Sequence, residues 1–184
     1  MKETENQEQL AFRESLKKVH LEHPEEVRQG FDALKKRHQL LDALAFRAKK
    51  ESIRGKDQLI PPEYDLAFLD EQTGEIFINT DTTSADFIDE ILEHEAAEMV
   101  KRTQQEGSDL SKKEQQREAH QLALLFEYRR AKENGHLEAH HAWIIAFLEK
   151  LGSLFPENEP LQQAIARQKA ERQGAVDIVK SEKE

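Results

Sequence analysis

The chain reads as an α+β fold, mostly α: a helical domain with a small β-hairpin set directly before a helix that carries metal-ligand chemistry. Three observations predict it. Apolar residues recur at helical spacing over most of the length. Only residues 64–69 and 75–79 combine β-branched and aromatic residues with near-alternation. His94, Glu95 and Glu98, in the run that follows, fall on the apolar side of their own helix.

Taken in order, residues 5–22 carry Leu10, Phe12, Leu16 and Val19 amid charge, a first helix stopped by Pro24. Residues 25–54 place Val27, Phe31, Leu34, Leu41, Leu44, Ala45 and Ala48 at helix spacing. They predict one long helix whose amphipathic face could pair with a second copy of the chain. Pro61 and Pro62 end whatever helix precedes them. The strand-like segments are joined by residues 70–74, where Gly74 suits a hairpin turn. Two strands cannot stand alone in water, so the hairpin must pack on helices, and its edge is open to an extended peptide. Residues 80–84 supply a turn and an N-cap, with Asp86 in the first helical turn. Ser111 and Glu114 spell a capping box for a helix that runs to Asn134 and Gly135. A further helix over 136–151 carries Leu137, Trp143, Ile144, Phe147, Leu148 and Leu151, ending at Gly152. Residues 157–184 are polar, contain Gly174, and read as a loosely attached helix or a disordered tail. The expected organisation is an N-terminal helical extension over 1–58, a metal-binding core over 59–153 and a polar C-terminal helix or tail over 154–184.

The chemistry starts from helix geometry. At about 100° per residue, Phe87, Ile88, Ile91, Leu92 and Met99 fill one arc, and His94, Glu95 and Glu98 fall inside it. Asp89, Glu90, Glu93 and Lys101 fill the opposite, solvated face. Ionisable groups in a core-facing stripe cost several kcal/mol in desolvation, roughly, unless something neutralises them, and a divalent metal does so for a His and a Glu one turn apart. His-Glu-x-x-Glu is one letter from the His-Glu-x-x-His of zinc peptidases, and carboxylate oxygen is an acceptable zinc ligand. The same four letters also arise by chance on Glu-rich helices. On the capped helix, His120 and Glu127 lie two turns apart on one face among Ala119, Ala123 and Ala131, small residues that let another helix approach. The alternative there is a salt-bridged surface built with Arg117, Arg129 and Arg130. His136, His140 and His141 form a rival cluster, read as helix histidines, and His20, His23 and His38 read as surface.

A helix with His-Glu-x-x-Glu, followed after some twenty residues by Ala-His-x-x-Ala-x-x-x-Glu, resembles a group of zincin-like metallopeptidase-like proteins encoded by bacteriophages and prophages. The matching positions are His94, Glu95 and Glu98, then Ala119, His120, Ala123 and Glu127, and the resemblance covers roughly residues 64–145. It implies His94, Glu98 and His120 as metal ligands, Glu95 as general base, and Glu127 as a fourth ligand or a partner of one. It further implies zinc, or another divalent metal, and a peptide or protein substrate whose peptide or amide bond is hydrolysed. No oxyanion donor is identifiable; His136, His140 and Tyr128 are candidates. The alternatives are a non-catalytic phage-related structural or regulatory protein in which the metal joins two helices, and a di-iron carboxylate bundle using Glu95, Glu98, Glu127, Glu138 and His141. The second needs Glu-x-x-His on two helices and finds one.

Composition bounds the rest. The absence of Cys excludes thiolate zinc sites and disulfides and fits a reducing compartment, so the expected location is cytoplasmic. The charged N-terminal stretch is no signal peptide, and no apolar run reaches membrane-spanning length. A net charge of -10 argues against nucleic acid as a partner. Lys35, Lys36 and Arg37, like Lys49 and Lys50, read as solvated basic patches.

Overall fold

The computed structural model describes residues 7–16 and 21–183, so Val19 and His20 lie outside the described residues. Along the chain come α1 (Gln7–Leu16), α2 (Glu25–Arg37), β1 (Gln39–Leu41), α3 (Ala43–Arg54), β2 (Ala67–Asp70), β3 (Glu75–Asn79), α4 (Ile88–Gln104), α5 (Lys112–Glu133), α6 (Leu137–Leu154) and α7 (Glu159–Ser181). This is the mostly helical α+β fold that the sequence predicts. No described helix is long and apolar enough to cross a membrane.

Residues 25–54 are not one helix. His38 leaves helical conformation at ψ 142°, residues 39–41 form β1, and Asp42 caps α3 by accepting from the Ala45 N–H at 2.8 Å. The interruption comes from β3: Gln39, Leu40 and Leu41 pair with it in parallel, a long-range interaction that outweighs helical spacing. The hairpin therefore becomes a three-stranded sheet in the order β1-β3-β2, with Phe68 opposite Phe77 across the antiparallel pair. Gly74 closes the hairpin turn at φ 70°, a conformation that disfavours side chains. Alternation along β3 divides the core. Ile76 and Ile78 join Leu69 against α2 and α4, while Phe77 stacks on Phe68, which meets Phe46 of α3 edge to face.

α4 is the central helix. Leu92, Ala96, Ala97 and Val100 pack in one cluster with Val27, Phe31 and Leu34 of α2, with the sheet, and with Ala123 of α5. The apolar face of α2 is thus occupied within the chain. The opposite face of α4 is largely buried, contrary to the sequence expectation: Glu90 is fully buried and Glu93 and Lys101 nearly so, and only Asp89 of that set stays partly exposed. A helix with neighbours on both sides has little wet surface, so its buried charges must be partnered. Glu90 Oε1 accepts from Asn134 at 2.8 Å and His136 at 2.6 Å, and Glu93 accepts from Arg130 at 2.8 Å.

Residues 159–181 are a packed helix rather than a loose tail. Leu161 and Ile165 of α7 pack with Leu148 and Leu151 of α6, and Ala175, Val176 and Val179 pack with Phe12, Leu124 and Tyr128. Gly174 makes room for α1: a Cβ there would stand 2.5 Å from Phe12 Cδ1. Against α1 the face of α7 uses Gly174 and Ala175, small residues that add little apolar signal to an otherwise polar stretch. α6 likewise continues through Gly152 to Leu154, beyond the predicted end.

Candidate metal centre

The site grows from two helix starts that the sequence specifies. Ser84 accepts from the Asp86 N–H at 3.4 Å and opens a short 3-10 turn that leads into α4. Ser111 and Glu114 form the predicted capping box at the head of α5. Helix periodicity places His94 and Glu98 one turn apart on α4. Ala119 and Ala123 of α5 are fully buried, the close approach expected from their size. Together these bring His120 over the next turn of α4.

His94, Glu98 and His120 converge so that their donor atoms lie within 4.8 Å of one another, an arrangement that could hold a metal ion. His94 Nε2 and His120 Nδ1 both face Glu98 Oε2, at 3.4 Å and 3.7 Å. Donors at about 2.0–2.1 Å around a tetrahedral ion stand about 3.3–3.4 Å apart, so the spacing fits zinc after a small contraction. Two imidazoles and one carboxylate are an acceptable donor set, and three protein ligands leave a coordination position open. Glu98 Oε1 accepts from Arg102, one turn further along α4.

Glu127 does not join that group. It stands behind His94 and is fully buried, its Oε2 accepting from His94 Nδ1 at 2.7 Å. Its Oε1 accepts from His140 Nε2 at 2.7 Å and Arg172 Nη1 at 2.6 Å. Carboxylate, imidazole and donor site in line is the arrangement that fixes a ligating histidine's tautomer and orientation. Of the two roles the motif implies for Glu127, partner of a ligand is the one its geometry suits. Burial raises the Glu127 carboxyl, but Arg172, His140 and His94 outweigh it and hold it well below the ordinary carboxylate range. Burial opposes charge on His94 too, yet its hydrogen bond to Glu127 and the neighbouring Glu98 carboxylate push it up to about 10. In the metal-free protein a proton on His94 thus joins the two carboxylates. Glu98 is held low: burial raises it, and His120 and His94 lower it by more.

Glu95, half-buried, opens with Glu98 onto a cavity of about 510 Å3 whose wall includes β2 residues Ala67, Phe68 and Leu69. Burial and then the Glu98 charge push the Glu95 carboxyl up to about 7. Lys50, Arg54 and Arg102 line the same cavity. Lys50 is not a solvated patch: it is 5% exposed and ion-paired with Asp65. Arg54 donates to the Leu69 carbonyl at 2.9 Å and lies over the Phe68 ring.

The other candidates are placed elsewhere. His140 is bound to Glu127, His136 to Glu90, and His141 Nδ1 lies 2.8 Å from Tyr128 Oη. None of these, nor the fully buried Tyr128, lines the Glu95 cavity, so they are not placed to serve an oxyanion there. Glu138 pairs with Lys180 on the surface and His141 with Tyr128, so the di-iron set does not assemble. Sequence reasoning missed Arg102, Lys50 and Arg172. Only Arg102 had a signal, its i,i+4 spacing from Glu98. No protein-family model, curated protein or solved structure matches this chain.

Proposed function

We propose that the protein is a zinc-dependent hydrolase of peptide or amide bonds, with His94, Glu98 and His120 as ligands and Glu95 as general base. The observation that carries this reading is that Glu95 shares a cavity with one ligand carboxylate while the three donors converge beside it. The motif's likeness to phage- and prophage-encoded metallopeptidase-like proteins supports it. Zinc bound there would supply Lewis acidity, polarising a carbonyl and making water acidic enough to attack near neutral pH. Glu95 would take the proton of the attacking water and hand it to the leaving amine. Glu127 would hold His94 in the tautomer that presents Nε2. An extended substrate could lie along β2, the strand at the sheet edge that walls the cavity.

The second reading, a structural metal joining α4 and α5, has its own support, since His94 and His120 come from different helices. Two measurements separate them. Glu95→Gln should retain zinc and abolish hydrolysis of a mixed peptide substrate pool, whereas Glu98→Ala should lose zinc. Equal zinc loss in both variants would count against this division of roles. Chelation should lower the melting temperature only modestly, and collapse of the helical circular dichroism signal on chelation would favour the structural reading.

A further inference from the structure

Across the Glu98–His120 pair from the Glu95 cavity lies another, of about 540 Å3, walled by α5 and α7. It is lined by Lys113, Arg117 and Arg167 beside His120 and Glu171, with two glutamines completing the wall. Glu171 is nearly buried and faces His120 Nε2 at 4.0 Å. Among the described residues, Lys113, Arg117 and Arg167 have no ion-pair partner. Other cations among the described residues are paired, as Lys35 is with Asp89, Lys50 with Asp65, Arg130 with Glu93 and Lys169 with Glu149, while Lys36 and Arg37, on the wall of a separate cavity, are not. In a chain whose acidic residues outnumber basic ones by 37 to 27, this wall gathers three cations against one carboxylate, Glu171. A concave wall concentrates their field and draws an anion toward it.

We propose that this cavity is an anion subsite, taking a carboxylate of a peptide bound at the adjacent metal centre. Its place in a reaction rests on the hydrolase reading; its affinity for an anionic peptide does not. A peptide suits the cavity better than nucleic acid, because no aromatic residue lines it to stack a base and the net charge of -10 repels a polyanion. The carboxylate could be an acidic side chain or a free C-terminus, and both are tested.

The test uses the full chain in chelator, so that binding is read without metal or turnover. Fluorescein-labelled hexapeptides are compared by anisotropy: one with two internal aspartates and an amidated end, one neutral with a free C-terminal carboxylate, and one neutral and amidated. At least one carboxylate peptide should bind about tenfold more tightly than the neutral amide, and which one identifies the source. The double variant Arg117→Gln, Arg167→Gln should erase the preference while its circular dichroism stays unchanged. Equal binding of the three peptides, a preference that survives the double variant, or tighter binding of an oligodeoxynucleotide of equal charge would overturn the subsite. A carboxylate preference in a chain that takes up no zinc would sink the hydrolase reading and leave this one standing.

Discussion

Two histidine–glutamate clusters lie within one helical bundle, and they are built on different terms. At the head of α6 the imidazoles sit at hydrogen-bond length from their partners, His136 to Glu90 at 2.6 Å, His140 to Glu127 at 2.7 Å, and His141 to Tyr128 at 2.8 Å, although the buried His140 Nδ1 and Glu90 Oε2 have no partner among the described residues. In the α4–α5 cluster His94 Nε2 and His120 Nδ1 converge on one carboxylate oxygen at 3.4 Å and 3.7 Å, too far for strong bonds and close to the spacing of donors around a metal. Composition does not separate the clusters, since both hold buried imidazoles beside carboxylates. Spacing does. A hydrogen-bonded pair pulls its atoms together, whereas a ligand set holds lone pairs around a shared centre. Glu127 belongs to both, since one oxygen serves His94 and the other His140 and Arg172.

The comparison breaks most sharply at the metal. His94→Ala should abolish stoichiometric zinc uptake by elemental analysis, while His136→Ala should leave it intact. Zinc retained by the first variant and lost by the second would exchange the roles of the two clusters. Next comes the shared carboxylate. Glu127→Ala strands the buried Arg172 and His140 and should cost about 3–5 kcal/mol in chemical denaturation, as breaking one side of a buried pair does. Glu98→Ala, on the more open side, should cost less stability but more metal. Smaller again is the isosteric change. Glu127→Gln keeps the shape but weakens the acceptor for His94 Nδ1, and should lower zinc affinity about 10–100-fold by competition titration. Unchanged affinity would remove Glu127 from the metal centre.

What was legible in the chain was local. The His-Glu-x-x-Glu helix, the Ser111–Glu114 capping box and the hairpin closed by Gly74 each follow from neighbours in sequence, and each is present. Ala119 and Ala123 foretold the approach of α4 and α5, and so the meeting of His94 with His120. What failed depended on distant partners. β1 is a strand only because β3 lies beside it. Glu90 and Glu93 are buried because α4 has neighbours on both sides, which no helical wheel of α4 alone contains. α7 looked like a tail because Gly174 and Ala175 offer little hydrophobicity, although the small size of Gly174 is what admits Phe12, and the packed helix carries Arg172 to Glu127.

The smallest effect is a difference in slope with pH. Metal-free, His94 titrates near 10 in the folded chain against an ordinary 6.5, so its stabilising charge is fully present below 6.5 and is lost as pH rises through 10. Glu95, raised from 4.5 to about 7, acts in the same direction over the lower part of that range, because its neutral form is the one the fold favours. Glu98 and Glu127, both held low, stay ionised throughout and contribute no slope there. The melting temperature of metal-free protein should therefore fall between pH 6.5 and about pH 9, by roughly 5–10 °C. Zinc reverses the sign, because it competes with the proton on His94 Nε2 and binds more tightly as that proton leaves. The stabilisation that zinc confers should grow over the same interval, and the two melting curves should diverge. Parallel curves would mean that His94 is not the residue at which proton and metal compete.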